Sequence, residues 1–240
     1  MKNIPIFKLK FDKKFQNKYN NLSRKIFNSK SLSEGMFVSK FEKKFSNFVN
    51  AKYSIAVSNG TAALEIAFRA IDISNKEVIV PTNTFFATII SIIKAGGIPV
   101  LCDNQEGSPD FDIKDVEKKI TKKTKAIIPV HLSGEIGHMN LLKSIAIKHN
   151  LHIIEDAAQS IGSSLILNLN NQKKYMSGSF GTLGCFSAHP LKNLNAAGDS
   201  GFIVTDNKAY YNRIKLLINH GLKSRGNSKF FGYVSRMDNL

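Results

Sequence analysis

Residues 153–159 read IIEDAAQ, in which two β-branched residues precede two adjacent acids. A short apolar run that ends at polar residues is typical of a buried strand leading into a loop. The stretch therefore predicts a strand over residues 152–155 with a carboxylate, Asp156, directly after it.

Apolar runs of the same kind recur along the chain, separated by stretches with helical periodicity. The further predicted strands cover residues 54–57, 77–80, 99–102, 126–130, 182–187 and 202–205. The predicted helices cover residues 38–49, 62–70, 87–94, 114–120, 141–149 and 209–219. This alternation predicts an α/β fold, a three-layer sandwich with a mostly parallel seven-stranded sheet between helices. The asparagine-rich stretch 165–174, with Asn168, Asn170 and Asn171, predicts a surface hairpin or loop.

A single lysine, Lys192, lies in an otherwise uncharged stretch, residues 185–194, which reads CFSAHPLKNL. Most of the 29 lysines must be solvated, but no other lysine lies between Lys174 and Lys208. Pyridoxal phosphate needs a lysine amine, which forms an imine and shuttles a proton, and an aspartate, which keeps the ring nitrogen protonated. Lys192 and Asp156 are therefore the predicted catalytic residues, and an enzyme is the leading hypothesis.

Several motifs, in order along the chain, resemble the DegT/DnrJ/EryC1/StrS family of sugar aminotransferases. They are GMFVSKFE at 35–42, SNGTAAL at 58–64, VPTNTFFAT at 80–88 and GYVSRMD at 232–238, together with the segments around Asp156 and Lys192. The resemblance covers essentially the whole chain. It implies the large domain of a fold-type I pyridoxal phosphate enzyme over residues 1–240, with an N-terminal arm over about 1–34. A smaller C-terminal domain, found in the family beyond the last motif, is expected to be absent from this chain.

The first of these motifs with a chemical role is the polar turn at Gly60 and Thr61. It precedes an apolar helix, whose free N-terminal amides can bind a phosphate. The resemblance assigns that role to both residues, with Ser187 as a second phosphate ligand. It also implies that Phe85 stacks on the cofactor ring and that Gln159 contacts its phenolic oxygen. The predicted cofactor-binding residues are thus Gly60, Thr61, Phe85, Asp156, Gln159, Ser187 and Lys192.

The activity implied by the resemblance is transfer of an amino group, with glutamate as the expected donor, to a nucleotide-linked keto-sugar in polysaccharide or surface-glycan biosynthesis. It further implies a cytoplasmic homodimer whose subunits share active sites. Other hypotheses remain open: a truncated, weakly active remnant that binds the cofactor, an enzyme acting on a keto-sugar acid, or a dehydratase. The dehydratases of the family replace the lysine that Lys192 matches. Val234 departs from the family, which commonly has Asn there.

The formal charge of +16 raises the possibility of nucleic-acid binding, but only five of the 34 cationic residues are Arg. Arg is the residue favoured for bidentate phosphate contacts, so a solvated basic surface is the better interpretation. No Gly-x-Gly-x-x-Gly follows the first strand, which argues against a dinucleotide-binding dehydrogenase. His131, His138 and His189 lack metal-ligand spacing, and the two cysteines are interpreted as small buried residues. No apolar run is long enough to span a membrane.

Overall fold

The structure, a computed structural model, describes residues 5, 8–167 and 173–239. The strands are β1 (Tyr53–Val57), β2 (Glu77–Pro81), β3 (Ile98–Cys102), β4 (Thr124–Ile127), β5 (His152–Asp156), β6 (Ser164–Leu167), β7 (Lys173–Met176), β8 (Leu183–Ser187), β9 (Gly201–Thr205), β10 (Leu222–Ser224) and β11 (Asn227–Ser228). The helices are α1 (Lys13–Ser29), α2 (Met36–Phe48), α3 (Gly60–Ile71), α4 (Phe86–Lys94), α5 (Ile113–Lys118), α6 (Met139–His149) and α7 (Lys208–Leu217), with a 3-10 turn at Leu132–Gly134.

Seven strands form one sheet in the order β1-β9-β8-β5-β4-β2-β3. Its pairs are parallel from β3 through β8, and β9 runs antiparallel to both β8 and β1. Each of the seven predicted strands corresponds to one of these, so the mostly parallel seven-stranded sheet is confirmed. The largest boundary error is in β4: the predicted strand 126–130 begins at Thr124 and ends at Ile127. Pro129 has no N–H to continue the ladder, and beyond it Val130 makes only an isolated bridge to Asp156.

Alternate residues of the strands belong to different apolar clusters, which shows that both faces of the sheet are covered. Val78, Val80 and Ile154 pack in the cluster that includes α3, α4 and α7 residues. Ile79 and Ile153 belong to the cluster on the opposite face, with α5 and α6 residues. At the other end of the sheet, α2 covers that second face. The predicted three-layer sandwich is therefore the observed architecture.

The structure adds elements to the predicted ones, among them α1, the pair β6 and β7, and the pair β10 and β11. Within the predicted N-terminal arm, α1 begins after Asp12, whose carboxylate accepts the Phe15 amide at 2.7 Å. Ile26 is the buried residue of α1. With so little of the helix packed against the core, the sequence lacks the apolar stripe that predicts a core-facing helix. The predicted hairpin or loop at 165–174 contains the antiparallel pair β6 and β7. The asparagines at 168, 170 and 171 lie outside the described residues.

Both cysteines are buried and free, which confirms their interpretation as small packed residues. Burial, followed by the nearby Asp115 carboxylate, raises the pKa of the Cys102 thiol to about 12. Cys185 in β8 is deeper still, and burial raises the pKa of its thiol well above the ordinary range.

The segment that leads into β8 is packed so closely that only glycine fits. A Cβ at Gly184 would lie 2.1 Å from the carbonyl oxygen of Gly178 and 2.6 Å from its Cα. Both atoms belong to the backbone and cannot move aside without shifting the turn at 178–181. The sequence Gly-x-x-Gly-x-x-Gly over 178–184 is thus required by close approach of two backbone segments.

Gly184→Ala should therefore destabilise the protein by about 1–3 kcal/mol, the usual cost of overpacking a core. Urea unfolding gives the measurement. The matched control is Gly198→Ala, because nothing lies within 4 Å of a Cβ built there. Equal changes in the two variants would contradict this explanation.

Candidate functional site

All seven residues predicted to bind the cofactor line one cavity of about 980 Å³. The cavity lies where the loops after β1, β2, β5 and β8 leave the sheet. Strands β2, β5 and β8 run in one direction, so their carboxyl ends meet at this edge, the usual ligand position in open α/β sheets. The structure thus brings together residues that are up to 132 positions apart in sequence, Gly60 and Lys192 being the extremes.

One end of the cavity is the N-terminus of α3. Asn59 caps this helix: its side chain accepts the Ala62 amide at 2.8 Å, and its carbonyl accepts the Ala63 amide at 3.0 Å. The helix itself offers no partner to the amides of Gly60 and Thr61, and both residues line the cavity. A Cβ at Gly60 would lie 2.7 Å from the Cβ of Ser187, so glycine lets the helix terminus approach that hydroxyl. Free amides and hydroxyls at a helix N-terminus form an anion site.

Asp156, at the end of β5, forms the buried floor of the cavity and is only 6% exposed. Its Oδ2 accepts a hydrogen bond from Thr88 Oγ1 at 2.8 Å, and its Oδ1 accepts the Ala158 amide at 3.2 Å. Burial raises the pKa of this carboxyl group, and the two hydrogen bonds and the charge of Lys192 oppose that rise without cancelling it. The site therefore holds a carboxylate that a cationic partner would stabilise.

Glu155, the neighbour of Asp156, is satisfied by the scaffold. Its carboxylate is fully buried and accepts the amides of Gly178, Phe180 and Gly181 at 2.8, 2.7 and 2.6 Å. The ring of His131, itself 1% exposed, lies 2.9 Å away through Nε2. His131 also donates its backbone amide to the Asp156 carbonyl at 3.0 Å. This pair anchors the strand end from which Asp156 projects.

Lys192 lies in the loop after β8 and lines the same cavity as the N-terminus of α3. The loop is held by the Lys192 amide, which donates to the His189 carbonyl at 2.8 Å. The Asn193 side chain also donates to the Ile161 carbonyl at 2.8 Å. Lys192 is half-buried, and its charge acts on the Asp156 carboxyl group, so the two predicted catalytic side chains share one electrostatic environment.

Phe85 and Gln159 complete the predicted set. Phe85 caps α4 and leaves 68% of its surface exposed in the cavity wall, while Phe86 is 76% exposed and does not line the cavity. Gln159 is oriented by the Ser133 amide, which donates to its Oε1 at 3.0 Å. The side-chain nitrogen of Gln159, Nε2, therefore remains available to donate a hydrogen bond.

Thr88 is the contact to Asp156 that sequence reasoning missed. It is fully buried in α4, and its hydroxyl lies 2.7 Å from that of Thr84. Thr84 precedes the N-cap of α4 and Thr88 lies in its first turn, so the helix period gave no signal for their contact. Nothing in the sequence indicated which distant side chain Thr88 would meet.

Within residues 8–167 and 173–239, no helix combines the length and apolar character needed to cross a bilayer. Nor do three or more His, Cys, Asp or Glu side chains converge in that part of the chain as metal ligands.

The architecture is that of the α/β domains that bind phosphorylated ligands at the carboxyl edge of a sheet. The chain belongs to the DegT/DnrJ/EryC1/StrS aminotransferase family, which it matches over residues 13–240. It is 41% identical over 189 residues to UDP-N-acetyl-3-dehydro-alpha-D-glucosamine 3-aminotransferase of Acidithiobacillus ferrooxidans, covering 78% of this chain and 49% of the relative. The chain thus spans about half the length of the curated relatives it matches.

Two solved structures share the fold. S. venezuelae DesV, in complex with a ketimine intermediate, superposes with a TM-score of 0.87 at 31% identity, covering 96% of this chain and 62% of DesV. Bacillus subtilis NtdA, with its bound cofactor PMP, superposes with a TM-score of 0.85 at 30% identity. The match covers 100% of this chain and 55% of NtdA. The predicted fold type I is confirmed.

The charge state of Asp156 makes stability depend on pH in a specific direction. Burial raises the pKa of this carboxyl group above its usual 3.8, so the folded chain binds the proton more tightly than the unfolded chain. Its contribution to stability is complete at acidic pH. It is lost as pH rises from about 3.8 through the folded pKa, at up to about 1.4 kcal/mol per pH unit.

Asp156→Asn should remove this loss and make the cofactor-free chain more stable than wild type near neutral pH. The difference in the free energy of unfolding between variant and wild type should disappear toward pH 4. Urea unfolding at several pH values measures it. Asp199→Asn is the control, because Asp199 lines the same cavity but is exposed. A variant less stable than wild type at every pH would show that Asp156 serves packing alone.

Proposed function

We propose that this chain binds pyridoxal 5′-phosphate and forms the cofactor-holding part of an aminotransferase that acts on nucleotide-linked keto-sugars. The observation that carries the proposal is the buried Asp156 carboxylate facing a cavity that it shares with Lys192 and the N-terminus of α3. Membership of the aminotransferase family supports the same reading.

The residues of the cavity fit this cofactor. The free amides of Gly60 and Thr61 can donate hydrogen bonds to a dianionic phosphate. The helix dipole stabilises an anion at this position by roughly 0.3–2 kcal/mol. Ser187 brings a hydroxyl to the same place, since its Cβ lies against Gly60. The exposed face of Phe85 offers a flat apolar surface for an aromatic ring. Within residues 8–167 and 173–239 no cationic side chain forms an ion pair with Asp156, and a protonated pyridine nitrogen would supply that partner.

Bound pyridoxal phosphate supplies an electron sink that stabilises negative charge at the substrate carbon. Asp156 holds the proton on the ring nitrogen, because a buried carboxylate favours a cation beside it. Lys192 Nζ would anchor the cofactor and, once released from it, would carry a proton to and from the substrate Cα. Gln159, fixed by Ser133, donates from its amide nitrogen to the cofactor's phenolic oxygen. Gly60, Thr61 and Ser187 hold the phosphate so that the ring cannot turn away from Lys192.

The acceptor is proposed to be a nucleotide-linked keto-sugar, and the donor an amino acid, with glutamate expected. The similarity to the 3-aminotransferase of a UDP-linked sugar supports the acceptor class. A cavity of about 980 Å³ leaves room beside the cofactor for a sugar. The net charge of +16 favours approach of a diphosphate-linked substrate. The presence of Lys192 favours amino transfer over dehydration.

The assembly proposed is a cytoplasmic homodimer in which each cavity is completed by the neighbouring chain. Val234, at the position where the family commonly has Asn, is 62% exposed and thus available to a neighbour. We further propose that turnover requires a smaller C-terminal domain of the kind present in the family, because substrate positioning and exclusion of water depend on closure of the site. The 240 residues alone should then bind the cofactor with little transfer activity.

Borohydride treatment of the chain loaded with pyridoxal phosphate should attach the cofactor irreversibly to Lys192. Peptide mapping by mass spectrometry identifies the labelled residue, and Lys192→Ala should abolish the label. The matched control is Lys174→Ala, which changes a lysine outside the cavity. Label on any other lysine would sink the assignment.

Sedimentation velocity at micromolar concentration should show a dimer. Val234→Asn should then tighten pyridoxal phosphate binding by about tenfold or more, since one added hydrogen bond to a charged group is worth about 1.5–3 kcal/mol. Val234→Ala is the control, because it shortens the side chain without adding a donor. A monomer in every variant would argue against a shared site.

A further inference from the structure

A chain of two hydroxyl groups leads to the buried oxygen of Asp156. Thr88 Oγ1 donates to Asp156 Oδ2 at 2.8 Å, and Thr84 Oγ1 lies 2.7 Å from Thr88 Oγ1. A hydroxyl has one proton to donate, and Thr88 uses it on the carboxylate. Thr84 must therefore donate to Thr88, which fixes the direction of the whole chain.

The same hydroxyls belong to the segment that presents Phe85 to the cavity. Thr84 directly precedes Phe85, and the Thr88 amide donates to the Phe85 carbonyl at 3.0 Å. Phe85 itself has no side-chain cap to hold the start of α4. The Thr84–Thr88 contact thus spans the first turn of α4, with the exposed ring of Phe85 between its ends.

We infer that Thr84 and Thr88 are positioning residues, which lock the Asp156 carboxylate and the Phe85 ring in one fixed arrangement around the cavity. The inference deepens the proposed function and rests on it for its cofactor-binding part. Asp156 would meet the edge of the bound ring and Phe85 its face, so one hydrogen-bond chain sets two of the surfaces that receive the cofactor.

The physical reason is that a carboxylate with one free oxygen can rotate about its last bond. Here each oxygen has its own donor, Ala158 for Oδ1 and Thr88 for Oδ2. Hydrogen bonds to a charged acceptor are stronger than neutral ones, and successive hydroxyls polarise one another. Thr88 is the hydrogen-bond donor to Oδ2 among the described residues, so its loss would leave that oxygen to the surrounding charges.

A test of the Thr88 hydroxyl must leave the other charged groups near Asp156 unchanged, because they also affect its pKa. Besides Thr88, the titratable and charged groups around Asp156 are Lys192 and His131 from the neighbouring loops, Glu155 on its own strand and Cys185 on β8. None of them is altered by changes at Thr84 or Thr88. A pH-dependent difference between the threonine variants therefore reports the hydroxyl contact.

The first test uses the cofactor-free chain and compares Thr88→Val, which keeps the shape, with Thr88→Ser, which keeps the hydroxyl. Loss of the donor raises the folded pKa of Asp156 further and leaves the unfolded value unchanged. The urea midpoint of Thr88→Val should therefore fall increasingly below wild type as pH rises from 4 to 8, while Thr88→Ser follows wild type. Thr205→Val is the control, because it removes a buried hydroxyl that donates to the Thr182 carbonyl at 2.8 Å rather than to a carboxylate.

For Thr205→Val, the loss should be the same at every pH. A pH-independent loss in Thr88→Val, or equal behaviour of the valine and serine variants, would overturn the inference. This result requires no cofactor, so it stands or falls separately from the proposed function.

The second test titrates pyridoxal phosphate and follows its visible absorption. Thr88→Val should weaken binding by about tenfold, the usual order for a hydrogen bond to a charged group. Thr88→Ser should restore the affinity, and Thr84→Val should lose part of it. An unchanged affinity in Thr84→Val would contradict the two-hydroxyl chain. Absence of binding by the wild type would refute the proposed function and leave the unfolding result to decide the inference.

Discussion

The burial of two adjacent carboxylates at the end of one strand is the constraint on which the site depends. Successive residues of a strand point to opposite faces, so β5 delivers Glu155 and Asp156 to opposite sides of the sheet. A buried carboxylate is costly unless donors surround it. Glu155 receives three backbone amides and His131, whereas the donors to Asp156 in the described part of the chain are Thr88 and Ala158, and Asp156 faces the cavity. The protein therefore provides Glu155 with a full set of hydrogen-bond donors, whereas Asp156 would be further stabilised by a cation bound in the cavity.

The donors around these two acids come from the elements that also carry the rest of the site. The turn that satisfies Glu155 runs directly into β8, and β8 ends at Ser187 shortly before Lys192. Gly184 allows that turn to lie against β8. On the other face, Thr88 belongs to α4, whose first turn presents Phe85. Fixing the two carboxylates therefore fixes the lysine loop and the aromatic wall as well. This explains why a sheet covered on both faces is needed: donors must approach one strand end from two sides.

Much of this architecture could be predicted from the sequence, because buried strands are continuous apolar runs and need both faces covered. The seven strands were found with small errors at their ends, and Pro129 explains the largest of these. Helix α1 was missed because little of it is buried, although its cap, Asp12, is a recognisable start signal. Lys192 and Asp156 are predictable from their sequence context, and the other five site residues from the family resemblance. That they line one cavity depends on strand order, which periodicity does not reveal. Thr88 was missed because its partner lies 68 residues away.

The central claim is that Asp156, Lys192 and the start of α3 hold one pyridoxal phosphate molecule between them. A crystal structure of the chain soaked with this cofactor tests it most directly. The account predicts density continuous with Lys192 Nζ, a ring nitrogen within hydrogen-bond distance of Asp156, and a phosphate on the amides of Gly60 and Thr61. Pyridoxal phosphate bound elsewhere, or oriented with its phosphate toward Asp156, would contradict it.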